Sequence, residues 1–215
     1  MSDDTEVSLR AASFDGASAT AAIKLAAADA DAAKAAFNAE SAVHDDLLKP
    51  KDNAGLIVRA PTITDAVGAG MAHHAILQEL YGGLDKDIAV SSEEELVEYW
   101  HDKITHLRGR KIALACSSRR VVGIALLESS PEDDHGLGTP ARVNELVCLH
   151  MLSDFYSQPV LQRMFDFVLP AAAPAQIWVW REDQRLRRFL RINGFILDGL
   201  SIAEDNGLEF SRLTR

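Results

Sequence analysis

The stretch Ala175–Gly199, AQIWVWREDQRLRRFLRINGFILDG, constrains the fold more than any other part of the chain, because it specifies a strand, a short helix and a second strand in quick succession. Gln176-Ile177-Trp178-Val179-Trp180 is apolar and rich in β-branched and aromatic side chains, the composition of a buried strand. Arg181 to Gln184 break the run, and Asp183 is placed to cap a helix. Leu186, Phe189 and Leu190 then recur at helical spacing, with Arg185, Arg187, Arg188 and Arg191 on the remaining face. Asn193-Gly194 ends this helix, since both residues tolerate the left-handed conformation of a C-cap. Phe195-Ile196-Leu197 opens the next strand.

The rest of the chain must supply partners for these elements. At 215 residues it can bury one good-sized core with an appendage. A net charge of −10 argues against binding a phosphate backbone, so no nucleic-acid partner is expected, whereas a cationic or amine substrate is compatible with it. No apolar run approaches the roughly 20 residues that span a bilayer. The first residues, MSDDTEVSLR, are acidic and lack the apolar centre of a signal peptide. Cys116 and Cys148 lie in apolar runs and read as buried free thiols in a reducing cytoplasm.

Residues 1–16 read as a polar, mobile tail and residues 17–50 as an accessory Ala-rich helix, whose large apolar residues (Ile23, Leu25, Phe37) are too sparse for a tight coiled coil. Pro50 to Gly55 is a linker. Leu56 to Arg59 is a short strand, and Thr64-Asp65 caps a helix that carries Ile76, Leu77, Leu80 and Tyr81 and stops at Gly82-Gly83. Ser92 and Glu95 form a capping box for a helix running through Trp100 and Leu107 to Gly109. Lys111–Cys116 and Val121–Leu127 make a hairpin. Ser129 to Thr139, with Glu132, Asp133 and Asp134, reads as a solvated acidic loop. Val143–Leu149 is a further strand and Val160–Leu169 a further helix.

The pattern as a whole resembles the Gcn5-related N-acetyltransferases (GNAT). The family's C-terminal motif, a strand, acidic-Asn, R-x-F-Y-x-x-x-G-F and D-G, is matched by Glu182-Asp183-Gln184, Arg188-Phe189-Leu190, Gly194-Phe195 and Asp198-Gly199. The opening strand, Asp-containing turn and helix ending in Tyr81 resemble the start of the same domain, so the likeness runs from 56 to about 213 and makes 56–215 a GNAT-like domain. The implied fold is α/β (α+β), an acyl-CoA N-acyltransferase fold with a central, mostly antiparallel mixed sheet flanked by helices, preceded here by the extra Ala-rich helix. The implied function is transfer of an acetyl group from acetyl-CoA to a small-molecule or peptide amine, by direct attack of the neutral amine on the thioester. Homodimers, common in the family, are also to be expected.

On the same resemblance, the pantetheine arm lies along the strand containing Leu149 and Met151, and the diphosphate against the following turn and helix start, Ser157, Gln158, Val160, Leu161 and Gln162, with Gln184 in place of the family's asparagine. That turn is written R/Q-G-x-G-x-G/A in the family; here Ser157, Pro159 and Leu161 stand at the glycines, and proline removes an N–H. Leu190 stands where the family often has a tyrosine that protonates the departing thiolate. Glu145, early in the cofactor strand, is the carboxylate that the resemblance makes the general base. A second reading arises from the altered turn and Leu190: a catalytically impaired domain of this fold that binds a ligand or a protein. No metal is expected: His73-His74 point apart on a helix, His101 and His106 are out of register, and His150 has no Cys or carboxylate at ligand spacing.

Overall fold

The computed structural model describes residues 55–84, 88–204 and 206–215; the expected tail (1–16), the Ala-rich helix (17–50) and most of the linker lie outside the described residues. The strands are β1 (Leu56–Arg59), β2 (Lys111–Ser117), β3 (Arg120–Ser129), β4 (Asn144–Met151), β5 (Gln176–Trp180), β6 (Ile196–Ala203) and β7 (Glu209–Thr214). They form one sheet in the order β1-β2-β3-β4-β5-β7-β6, antiparallel throughout except for β4 beside β5. The helices are α1 (Ala66–Tyr81), α2 (Glu93–Thr105), α3 (Gln158–Val168) and α4 (Gln184–Ile192). α1 packs on α2 and β3, whereas α3 crosses β1, β2, β3 and β4.

Local chemistry accounts for most element ends. Ser92 Oγ accepts from Glu95 N and Glu95 returns the bond to Ser92 N, the reciprocal box the sequence specifies. Asp183 Oδ1 accepts from Leu186 N at 2.9 Å and starts α4; Gly194, at φ +85°, ends it. Three readings need correction. Asp65 does not cap α1: its carboxylate takes two guanidinium bonds from Arg59 and one each from the Thr62 amide and hydroxyl. The charge-assisted pair with Arg59 outcompetes the helix amides. α2 stops at Thr105, because His106 leaves helical geometry at ψ 66°, so Leu107 is outside it and exposed. Arg187 is not on a solvent face; it is buried and donates to the Arg181 carbonyl at 2.6 Å.

Both faces of the sheet are covered. One continuous core joins α1, α2, α3, α4 and strands β1 to β7, with Trp100, Phe165, Phe195 and Leu114 among its fully buried side chains. Gly70 lets α1 and α2 touch backbone to side: a Cβ there would stand 2.6 Å from Val97 N. Cys116 and Cys148 are buried free thiols, and burial pushes both thiol pKa values up. No helix among the described residues is long and apolar enough to cross a membrane.

Candidate active site

β4 pairs with β3 from Asn144 to Met151, opposite Ser129 to Gly123, but β4 and β5 share a single register, Glu145 opposite Gln176. Beyond it the two parallel strands part, leaving one edge of β4 without a ladder partner as it runs to Met151. The β3–β4 register also shifts between Leu126 and Leu127, so Val147 is an extra residue on β4. Such a bulge bends and twists a strand locally, which turns β4 away from β5. The result is a split that opens towards the C-terminal ends of both strands.

Leu149 and Met151 lie on this open part of β4, and both side chains are buried. By the alternation of a strand they face away from Cys148 and His150. Those two residues face α1 and α2: Lys103 on α2 acts on the Cys148 thiol, and His150 acts on His73 of α1. Glu145 sits at the closed end of the split, where Gln176 Nε2 donates to Oε2 at 3.3 Å. Its cross-strand neighbour Glu128 is held by Lys103 and Arg110, at 2.8 and 2.5 Å.

Ser157 occupies the N-cap position of α3, but its hydroxyl makes no capping bond. Pro159 has no N–H, and Leu161 N donates to Ser157 O at 2.8 Å. The amides of Gln158 and Val160 remain as the first-turn donors, which an α-helix cannot satisfy internally. Val160 and Leu161 bury their side chains in the core; Gln158 is exposed. Gln162 is turned elsewhere, exchanging amide hydrogen bonds with Asn193 at 2.9 and 3.1 Å and so tying α3 to the end of α4. Gln184, exposed in the first turn of α4, reaches the Arg181 carbonyl at 3.5 Å. Leu190 is fully buried in the core. The guanidinium of Arg185 lies 4.4 Å over the ring of Tyr156, next to the start of α3, and so brings a cation to the helix N-terminus.

The α1 side of the split is aromatic and acidic. Tyr81, at the end of α1, meets Trp180 edge to face at 5.3 Å. Burial, with help from Asp183 and Glu204, pushes the Tyr81 hydroxyl pKa up. His150 Nδ1 stands 3.8 Å from Asp183 Oδ2 across the mouth of the split. The residues are far apart in sequence, so no ligand-spacing rule could join them; the signal available was that one lies near the end of β4 and the other caps the helix after β5.

The acidic loop is exposed at Glu132 and Asp133, as read, but differs from its reading at Asp134. Asp134 is fully buried, not solvated; it accepts from Trp178 Nε1 at 2.9 Å and pairs with Arg212, which also bonds Asp198 at 2.6 Å. An aspartate can be buried here because a guanidinium and an indole N–H meet it. No group of His, Cys, Asp and Glu that could hold a metal occurs among the described residues.

No protein-family profile matches this sequence, and no curated relative does. The fold recurs among solved structures. An acetyltransferase of the GNAT family from Streptococcus pneumoniae shares 15% identity at a TM-score of 0.51, over 74% of this chain and 98% of that one. An acetyl transferase of Salmonella typhimurium that modifies the N-terminal serine of a 50S ribosomal subunit protein shares 15% at 0.52, over 75% and 94%. The protein yncA of Salmonella typhimurium, solved with its cofactor acetyl-CoA, shares 11% at 0.52, over 74% and 92%. The seven-stranded mixed sheet and its flanking helices are therefore the GNAT acyl-CoA N-acyltransferase fold.

Proposed function

We propose that this chain is an acyl-CoA-dependent N-acyltransferase, moving an acetyl group from acetyl-CoA to an amine. The observation that carries this reading is the parting of β4 from β5 beyond Glu145 and Gln176. An unladdered strand edge offers amides and carbonyls to the amide-rich pantetheine arm in the manner of an added strand. Leu149 and Met151 are the β4 residues whose backbone would take that arm. At its outer end, the amides of Gln158 and Val160 and the guanidinium of Arg185 would meet the diphosphate, compensating for the missing glycines at Ser157, Pro159 and Leu161.

The chemistry needs little beyond alignment and deprotonation. Attack of a neutral amine on the thioester carbonyl forms a C–N bond and breaks the C–S bond. The thiolate leaves without an acid, since a free thiol has a pKa near 8.5; Leu190 in place of a hydroxyl is thus compatible with turnover. The acceptor class that fits the α1 side is a small cationic amine, drawn by Asp183 and Glu204 and packed on Tyr81 and Trp180. Glu145, the base by resemblance, stands where the strands are still paired; the proton acceptor we favour lies at the open end.

A second reading, a binding domain of this fold without transfer activity, is favoured by Pro159 and by the burial of Leu190. Calorimetric titration with acetyl-CoA separates the two. Micromolar binding supports the enzyme, whereas binding weaker than millimolar ends that reading.

A further inference from the structure

We propose that His150 is the proton acceptor for the attacking amine and that Asp183 positions it. This rests on the acyltransferase reading and names a residue for it.

His150 occupies the open part of β4, between Leu149 and Met151, and its Cα is paired with Ile124 on β3. Its side chain projects to the α1 side of the sheet, where the amine would approach, while Leu149 and Met151 face the other way. The imidazole keeps 21% of its side-chain surface and makes no hydrogen bond among the described residues. Asp183 keeps 9% and is rigidly held, because Oδ1 is committed to Leu186 N as the cap of α4. The other oxygen, Oδ2, points at His150 Nδ1. At 3.8 Å the carboxylate is an electrostatic partner that favours the proton on Nδ1, the arrangement that leaves the Nε2 lone pair for substrate.

The groups facing the imidazole suit it to accept a proton. Burial lowers the His150 pKa and Asp183 offsets part of that, the net shift being downward, so the ring is neutral at neutral pH and has a free lone pair. From α1 it faces His73, whose own pKa burial pushes down to about 3, so this neighbour carries no charge at neutral pH. Tyr81, also on α1, is kept as the phenol near Asp183 and Glu204. Glu145 has none of these properties: it is engaged by Gln176 at the closed end of the split.

In the step itself, the amine nitrogen gives its proton to His150 Nε2 and its lone pair forms the new C–N bond to the acyl carbon. The C–S electron pair leaves on sulfur as the CoA thiolate. The imidazolium, paired with Asp183, then releases the proton to solvent.

The test uses the full chain with His150→Gln and Asp183→Asn, the latter keeping an oxygen to cap α4. Benzylamine is the probe acceptor, a primary amine that attacks in its neutral form and whose ring matches Tyr81 and Trp180. Acetyl-CoA binding by calorimetry is expected to be the same in all three proteins; failure of the wild type to bind would strike at the acyltransferase reading itself. With binding intact, His150→Gln is expected to lose about 10²–10⁴ in acetyl transfer, the usual worth of a general base. Asp183→Asn should move the inflection of the pH–rate profile to lower pH, because it removes the group that raises the His150 pKa. Spectra of ¹⁵N-histidine-labelled protein should show His150 with its proton on Nδ1 and shifted by acetyl-CoA. Equal rates for wild type and His150→Gln, zero included, or a proton on Nε2 indifferent to acetyl-CoA, would overturn the assignment.

Discussion

Glu145 and Gln176 form the one registered contact between β4 and β5, and the Gln176 amide joins them at 3.3 Å while its oxygen accepts from Arg142 N at 3.1 Å. Gln176 is fully buried. Replacing it with leucine leaves a half-buried carboxylate and a backbone amide without this partner, a cost of up to about 1–3 kcal/mol for each. Gln176→Leu should therefore lower the denaturant midpoint without changing the slope, and Glu145→Gln, which retains a hydrogen-bonding side chain, should retain transfer activity within a few fold.

Arg185 stacks on Tyr156 beside the start of α3. A hydrogen bond to a charged group contributes about 1.5–3 kcal/mol, or roughly 10- to 100-fold in affinity. Arg185→Glu should weaken acetyl-CoA by at least that factor and leave the affinity for S-acetylpantetheine, which lacks the diphosphate, unchanged. Equal losses for both ligands would place Arg185 outside the diphosphate site.

His73 is buried and accepts from Trp100 Nε1 at 3.2 Å, and its pKa is pushed down to about 3 by burial. The folded state therefore binds fewer protons than the unfolded state below the ordinary histidine value of about 6.5. Stability should be level above that pH and fall as the pH drops towards 3, with His73 accounting for about 2 kcal/mol of loss at pH 5. His150, shifted in the same direction, adds to the slope. Denaturant titrations from pH 7.5 to 5 should show a shallower slope for His73→Gln, which keeps an acceptor for Trp100.

Much of the fold is legible in the sequence because the local signals agree with one another. Ser92 with Glu95, Asp183 before Leu186, and Gly194 each define an element end through bonds to near neighbours. The errors arise where a distant charge wins. Asp65 is taken from α1 by Arg59, and Asp134 is taken out of solvent by Arg212 and Trp178. The site is less legible for the same reason. The strand that carries Leu149 and Met151 is legible, their role as a cofactor edge being what the resemblance implies, but the approach of His150 to Asp183 depends on how β4 and β5 part, which no spacing encodes.

Asp134 and Arg212 form a buried ion pair under the β3–β4 loop. Breaking such a pair by removing one charge costs about 3–5 kcal/mol. Asp134→Asn should fall at the lower end, since Asp198 still pairs with Arg212 and the new side chain can still accept from Trp178. Chemical denaturation gives the cost, and a quenching change in tryptophan emission would report loss of the loop from Trp178.

The open split between β4 and β5 is tested most directly by titrating acetyl-CoA into the intact protein while following backbone amides of β4. The account predicts micromolar binding, with the amides of Leu149, Met151, Gln158 and Val160 shifted and protected from exchange. Binding weaker than millimolar, or tight binding that leaves those four amides unmoved, would contradict it.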